Sequence, residues 1–314
     1  MVRDILLQVA QVVAVLVIAP LLQGMILQWE ERVQRARGPG IFQPYRDLWK
    51  LFHKQQLVPE TGSFIYWLAP VVAFTCMLTV PILIPVLTTY PLPESDMGDI
   101  LGGGLILTLG SFMITLAGLD SGSAYGGIGS SRSAMLVVLA EPALILVFVG
   151  ITLLAKSMLP FVVNHLLVQQ PEIYWSPAHL FLVAAFFILL LVETDRLPIH
   201  SSTHIEVYMI EEARILEYSG PLLGLLKWAS MMKQVIFFTI FCNVLVLPWG
   251  LSHEGEALGV LGALAALLLK FMLVAAAVVF VETAQARLRY YRYQEPLAAS
   301  FLLAILAIVA NQLR

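Results

Sequence analysis

Apolar positions gather in long runs broken by short polar stretches, near 5–27, 66–90, 99–119, 132–155, 177–193, 221–248, 257–282 and 296–313. A helix needs roughly 17–25 residues to cross the hydrocarbon layer of a bilayer, and these runs are of that order. Backbone polar groups in hydrocarbon must be satisfied within the segment, so each run reads as a helix. The pattern predicts an all-α polytopic membrane protein with about eight transmembrane helices. The run at 99–119 contains Gly102, Gly103 and Gly104, which favour close helix approach in a bundle. The first run, Ile5 to Leu27, has a weak charged region before it and no small-residue cleavage site behind it. It reads as a retained helix rather than a signal peptide.

Between the first two runs the pattern changes. Leu48, Leu51 and Phe52 recur at helical spacing beside Arg46, Lys50 and Lys54. This predicts a basic amphipathic helix over 43–56 that lies at the membrane surface, entered through the turn Arg37-Gly38-Pro39-Gly40.

Composition agrees with this class: 59% of residues are hydrophobic and 12% charged, against about 25% charged in soluble domains. The formal net charge of −3 says little, because orientation follows the placement of Lys and Arg. With the N-terminus outside, twelve basic residues fall in inner loops: Arg32, Arg35, Arg37, Arg46, Lys50, Lys54, Arg132, Arg196, Arg214, Arg287, Arg289 and Arg292. Only Arg3, Lys156 and Arg314 fall outside, where Glu94, Asp96, Asp99, Glu254 and Glu256 also lie. The expected protein is therefore one transmembrane domain over 1–314 whose working face is cytoplasmic. No internal repeat, linker or appended soluble domain is evident. Cys76 and Cys242 lie in apolar runs and read as small buried hydrophobes. Without a Cys/His cluster, a Walker loop or a dinucleotide fingerprint, any redox cofactor is expected in another chain.

Several charges sit where hydrocarbon should be. Glu141 precedes Pro142 in the fourth run, Lys227 and Lys233 lie in the sixth, and Lys270 is deep in the seventh. Glu193 and Glu282 end the fifth and seventh runs. A charge at the bilayer centre costs roughly 2.5–3.5 kcal/mol on insertion scales. Such charges are either structural pairs or a relay that moves protons or charge. The inner loop 194–220 is rich in carboxylates, with Glu206, Ile210, Ala213 and Glu217 on one face if helical. It reads either as a solvated loop or as one that docks partners and feeds the buried carboxylates. His200 and His204 lack an evident third ligand, so no metal site is expected. The segment Gly126-Gly127-Ile128-Gly129-Ser130-Ser131-Arg132 predicts a tight inner turn, with Arg132 opening the next helix.

Motifs spread over the chain resemble one family. They are Arg37-Gly38-Pro39-Gly40 with Tyr45-Arg46-Asp47; Gly118-Leu119-Asp120-Ser121-Gly122-Ser123; Ser131-Arg132 with Glu141-Pro142; and Glu193 with Pro198. Further on come Glu217-Tyr218-Ser219-Gly220, Lys227-Trp228, Lys233-Gln234, and Glu282 with Ala286-Arg287-Leu288-Arg289. The family is the first membrane subunit of respiratory complex I (complex I subunit 1) and its hydrogenase-type branch. That branch includes formate hydrogenlyase subunit 4 and hydrogenase-4 component C. The resemblance implies a non-catalytic subunit of an energy-converting oxidoreductase in a bacterial or archaeal cytoplasmic membrane.

Partners implied are hydrophilic iron–sulfur and hydrogenase-like large subunits at the cytoplasmic face, antiporter-like membrane subunits and the lipid bilayer, with no nucleic acid. Iron–sulfur clusters, a nickel–iron site or quinone would then be held with or by partners, and none in this chain. The resemblance puts Glu141, Glu193, Glu206, Glu217 and Glu282 on a buried charged path, to which the reading of spans adds Lys227, Lys233 and Lys270. It puts Arg37, Tyr45, Arg46, Asp47, Asp120, Arg132, Arg196, Arg287 and Arg289 toward partners. His200, where many relatives have Asp, and Ser133, where hydrogenase-type members often have Glu, depart from the pattern. Two rival readings are a quinone-site subunit of an NADH dehydrogenase-like complex and a stand-alone secondary transporter.

Overall fold

The computed structural model describes residues 2–36, 38–89, 98–196, 211–252, 256–284 and 294–313. Their helices are α1 (Val2–Val33), α2 (Gln43–Phe52), α3 (Phe64–Leu83), α4 (Ile100–Asp120), α5 (Ala124–Ala155), α6 (Pro160–Gln169), α7 (Pro171–Tyr174), α8 (Pro177–Glu193), α9 (Glu211–Ile215), α10 (Gly220–Thr239), α11 (Ala257–Ala284) and α12 (Gln294–Gln312). A π-helical turn, Ile240–Val246, continues α10. Among the described residues there is no strand, only an isolated parallel bridge between Thr88 and Ser252. Seven of these helices are long and apolar enough to cross a membrane, and α8 is a shorter apolar helix. The protein is an all-α polytopic membrane protein.

Short polar residues start the helices where the chain enters them. Ser63, Ser123 and Ser176 each accept a backbone N–H from the first turn that follows, and Asp99 does the same from Gly102. Such caps satisfy donors that the helix leaves open. Within the bundle, Phe148, Phe186, Phe237, Phe238 and Phe271 are fully buried and form the middle of one large core. A smaller core of Tyr66, Ala69, Ala117, Ile215, Tyr218 and Leu222 closes the end of the bundle that carries α2 and α9.

The structure differs from the expected boundaries in four places. The run 66–90 is helical only to Leu83, because Ile84 precedes Pro85 and is extended at φ −112 and ψ 153. The clash with the proline ring drives the preceding residue out of the helical region. Gly126, Gly127 and Gly129 lie inside α5 rather than in a turn. The turn is confined to Ser121–Ser123, with Gly122 at φ +67, and Arg132 sits more than two turns into the helix. The amphipathic helix stops at Phe52, where His53 Nδ1 bonds the Trp49 carbonyl. The chain then runs over Gly220, where an added Cβ would lie 3.0 Å from the Lys54 carbonyl oxygen. Finally, α6 and α7 fold the stretch between the fourth and fifth runs, which the pattern left unassigned.

Pro20 inside α1 organises the contact with α2 and α10. Proline has no N–H, so the Leu16 carbonyl four residues earlier loses its helical partner. Trp228 Nε1 donates to that carbonyl at 3.1 Å. The Tyr45 hydroxyl donates to the next carbonyl, that of Val17. Helix α2 is thereby held against α1 beside Pro20, with Leu48 buried beneath it.

Candidate functional site

The charged residues of the spans converge at the end of the bundle that carries α2 and α9. Lys233 on α10 and Glu193 at the end of α8 form an ion pair of 2.7 Å. Lys233 Nζ also donates to Ser111 of α4 at 3.0 Å. Just beyond the end of α8, Arg196 turns back into the bundle. Its guanidinium lies 2.8 Å from Glu30 and 3.9 Å from Glu282, and it donates to Gln23 at 2.5 Å. These side chains are between 8% and 17% exposed. Burying a charge is costly unless it is paired and hydrogen-bonded. Lys233 with Glu193 and Arg196 with Glu30 meet that condition, whereas Glu282 Oε2 is buried without a hydrogen-bond partner.

A third buried cation comes from the inner loop. Arg214 on α9 is inserted between α4 and α5, donating to Ser133 at 2.8 Å and Thr115 at 3.4 Å. Gly118 permits this approach, since a Cβ there would lie 3.1 Å from the Arg214 backbone and overlap Ser130 Oγ. Arg214, Ser133, Ser111, Lys233, Glu193 and Asp195 line one cavity of about 50 Å³, room for about three or four waters. A second cavity of about 150 Å³ contains Gln23, Glu30, Arg196, Gln234 and Glu282. Thr194, Asp195 and Ser230 border both. Three largely buried cations (Lys233, Arg196, Arg214) and three largely buried carboxylates (Glu193, Glu30, Glu282) thus line two neighbouring cavities. Such an arrangement can pass a proton or shift charge with little change in net charge.

The other residues singled out in the sequence are placed as follows. Glu141 is half-buried on α5, close enough to Glu193 for their charges to interact. Lys227 pairs with Glu212 at 3.9 Å, the two side chains 38% and 60% exposed, a setting in which an ion pair contributes little. The Glu217 carbonyl accepts the Tyr66 hydroxyl at 3.0 Å. Lys270 lies apart from this group and bonds Asn243 at 2.8 Å. Tyr45 is committed to α1, and exposed Asp47 accepts from Gln43 at 2.8 Å. Arg46 is exposed and Arg132 half-buried. The Asp120 carboxylate accepts from the backbone N–H and hydroxyl of Ser63 at 2.9 and 2.6 Å, tying α4 to the start of α3. Arg37, His200, His204, Glu206, Arg287 and Arg289 lie outside the described residues. Among the described residues no cluster of three or more His, Cys, Asp and Glu could hold a metal.

Sequence reasoning missed Glu30, Gln23 and the buried role of Arg214. A signal existed for the first two: seven residues apart, they share one face of α1 just inside its polar end.

Tyr218 completes this end of the bundle. Its ring stacks on Tyr66 at 4.2 Å and 3°, and its hydroxyl donates to the Tyr66 carbonyl at 3.1 Å. Burial, then the nearby charges of ionised Tyr66 and Asp120, push its phenol above the usual range. The unfolded phenol ionises near ~10 and the folded one higher. Its stabilising contribution is therefore full below pH ~10 and is lost as pH rises beyond that. Melts of the detergent-solubilised protein between pH 8 and 11 should show this alkaline decline. Tyr218→Phe should flatten it, while lowering stability at pH 8 by about 0.5–1.5 kcal/mol through the lost hydrogen bond.

Fold and site together define a multi-pass membrane subunit with charges gathered beneath one face. A family model described as NADH dehydrogenase matches residues 6–311, and the chain belongs to that family, the one containing complex I subunit 1. It is 31% identical over 308 residues to formate hydrogenlyase subunit 4 of Escherichia coli (strain K12), covering 98% of each chain. Identity to hydrogenase-4 component C of the same organism is 31% over 305 residues, 97% of this chain and 95% of that one. NADH-quinone oxidoreductase subunit 8 of Rhodothermus marinus is 30% identical over 218 residues, covering 62% of this chain and 61% of its own. A chain of the membrane-bound sulfane sulfur reductase, an archaeal respiratory membrane complex, shares the fold with a TM-score of 0.75 over 98% of both chains, at 21% identity. The chain is thus related to membrane subunits of oxidoreductase complexes.

Proposed function

We propose that this chain anchors a hydrophilic redox module to the membrane and couples its electron transfer to the movement of protons or sodium ions. The observation that carries the reading is the pairing of Glu193 with Lys233 and of Arg196 with Glu30 and Glu282 beneath one face. The buried path comprises Glu141, Glu193, Glu282 and Lys233, with Glu206, Glu217 and Lys227 toward the loop. Iron–sulfur clusters and a nickel–iron site belong to the docked module, and antiporter-like subunits carry the ions onward. The docking face comprises α2, with Arg46 and Asp47, together with Arg37, Arg132, Arg287 and Arg289. This face is cytoplasmic, the N-terminus is outside, and α8, the fifth span in chain order, brings the spans to eight.

Coupling follows from electrostatics at short range. A change of charge above the loop shifts segment 194–196, which holds Asp195 at the border of the two cavities and Arg196 in the second. Lys233 then exchanges its partner at Glu193 for one of the neighbouring acceptors, and a proton is taken up or released. Charge movements of this kind gain strength where water is scarce. Replacing Glu193 by Gln in the assembled complex, reconstituted in vesicles, tests the reading. Redox turnover should persist while ions moved per turnover fall at least tenfold. An unchanged ion-to-turnover ratio would sink it.

A second reading is favoured by one cavity. Gln23, Pro44, Lys50, Leu51, Leu226 and Lys227 are among the residues that line a space of about 450 Å³ between α1, α2 and α10. It is large enough for a ring-sized ligand such as a quinone headgroup. Turnover that requires added quinone would support this reading.

A further inference from the structure

The end of the bundle opposite the charged face contains a second polar centre. After Leu83 the chain leaves α3 and runs non-helically through Ile84–Thr88, all buried, with Val86 and Thr88 at 0% exposure. Non-helical backbone inside a membrane bundle survives only where the protein satisfies it or it lines a hydrated space. Gln11 of α1 accepts the Val86 and Leu87 N–H groups at 3.1 and 2.9 Å. Asn243 donates to the Pro85 and Val86 carbonyls at 2.9 and 3.1 Å.

Asn243 stands on the π-helical turn, a feature frequent at functional positions. The widened turn leaves carbonyls for side chains from other elements. Asn164 donates to the Asn243 carbonyl at 2.5 Å, the Tyr174 hydroxyl to Val246 at 2.7 Å, and His179 Nε2 lies 3.1 Å from the Leu245 carbonyl oxygen. The remaining acceptor of Asn243, its Oδ1, takes the Lys270 amine at 2.8 Å.

Lys270 is 7% exposed. An ammonium has three N–H donors, and among the described residues this one is met by an amide oxygen. No carboxylate there forms an ion pair with it. Around it, Gln11 Nε2, Thr88 Oγ1, Asn164 Oδ1 and His179 Nδ1 are buried without a hydrogen-bond partner. Buried polar atoms left open in this way mark places for internal water. The other ionisable groups facing the centre are Cys242, His179 and Tyr174. Lys270 also lies directly under the surface: a Cβ on exposed Gly250 would be 4.0 Å from Lys270 Cε.

This centre is separate from the charged face. Lys270 and Glu282 are twelve residues apart on α11, about 18 Å, and Lys233 and Asn243 are about 15 Å apart. Phe186, Phe237 and Phe238, all fully buried, lie between, and Phe271 beside Lys270 packs on Phe238 with ring centroids 6.1 Å apart.

We propose that Lys270, Asn243 and the segment Ile84–Thr89 form a second, hydrated proton station, which exchanges with the membrane face opposite the acidic loop. Nζ gives its proton to a water open to that face, becoming neutral. Its lone pair then takes the next proton from a hydronium delivered through the bundle, with no bond between heavy atoms altered. The station rests on the reading that the assembled complex moves ions. It adds that this chain opens toward the second face, with buried phenylalanines lying between the station and the Glu193–Lys233 pair.

The test compares Lys270→Arg with Glu193→Gln in the intact complex in proteoliposomes. Arginine keeps the charge and a donor for Asn243 but does not release its proton near neutrality. A structural lysine would tolerate it, whereas a station would not. The expected result is normal assembly and redox turnover with at least a fivefold fall in ions moved per turnover. A wild-type ratio in Lys270→Arg beside a collapsed one in Glu193→Gln overturns the station and leaves the coupling reading standing. Wild-type ratios in both variants overturn both. A measurement on the unmodified complex guards against a variant that fails to assemble. Hydroxyl-radical footprinting should label Cys242 and His179 from internal water, and a core left unlabelled at both residues refutes the station.

Discussion

Arg196→Ala should lower the stability of this protein by about 3–5 kcal/mol, the cost of leaving buried charge without its partner. The guanidinium meets Glu30 at 2.8 Å, Gln23 at 2.5 Å and Glu282 at 3.9 Å. Alanine would strand both carboxylates, at 11% and 15% exposure, in a space closed by α1, α10 and α11. Water entering the cavity of about 150 Å³ would offset part of this. Arg196→Lys should recover less than half of the loss, because an ammonium cannot reach Gln23 and Glu30 with a planar fork. The double variant Arg196→Ala/Glu30→Gln should be milder than Arg196→Ala alone, since one stranded charge is gone. Thermal unfolding in detergent measures all three. Equal midpoints for the wild type and Arg196→Ala would show that the cluster is not a closed ion network.

Gly24→Ala should detach the amphipathic helix while leaving the spans intact. At Gly24, α1 passes directly under the chain that enters α2. A methyl group there would overlap the Ile41 carbonyl oxygen, lie 2.9 Å from the Ile41 carbonyl carbon and 3.2 Å from Pro44 Cδ. Backbone cannot swing aside as a long side chain can, so the segment leading into α2 must lift. Overpacking of this kind costs about 1–3 kcal/mol. Lifting α2 would also break the Tyr45 bond to the Val17 carbonyl and expose Leu48, now 6% exposed. Hydrogen exchange should report faster exchange at amides 46–52, with α10 and α11 unchanged. Protection of α2 equal to wild type would refute the steric argument. If α2 is part of the docking face, complex recovered with its hydrophilic subunits should fall several-fold.

Much of this architecture was legible from hydrophobic runs, because a helix in hydrocarbon must be apolar over most of its length. The amphipathic α2 was legible for the same reason, its face switching where Leu48, Leu51 and Phe52 alternate with charges. The end of α3 at Ile84 was also written in the chain, as a residue before proline, but an unbroken apolar run hid it. Glycines misled at Gly126–Gly129: read as a turn, they lie inside α5, where Gly126 is a small surface packed on α4. A Cβ on Gly126 would lie 2.5 Å from the Gly118 carbonyl oxygen. The short helices α6 and α7 escaped because ten and four residues carry too little periodicity to register.

The sequence by itself determined which family the chain belongs to and which charges sit within or at the end of an apolar run, such as Glu141, Glu193, Lys233, Lys270 and Glu282. That Glu30, Arg196 and Arg214 also enter the bundle was decided by the tertiary structure. The sequence did not determine the partners of these charges. Glu30 and Arg196 are 166 residues apart, and Asn243 on the π-helical turn and Lys270 on α11 are 27 apart. A buried charge requires a partner, but any opposite or polar group brought within ~4 Å will serve. Helix packing therefore made the choice, through Gly118, the carbonyl left open by Pro20 and the break at Pro85. It divided one apparent row of intramembrane charges into two centres with a layer of phenylalanines between them.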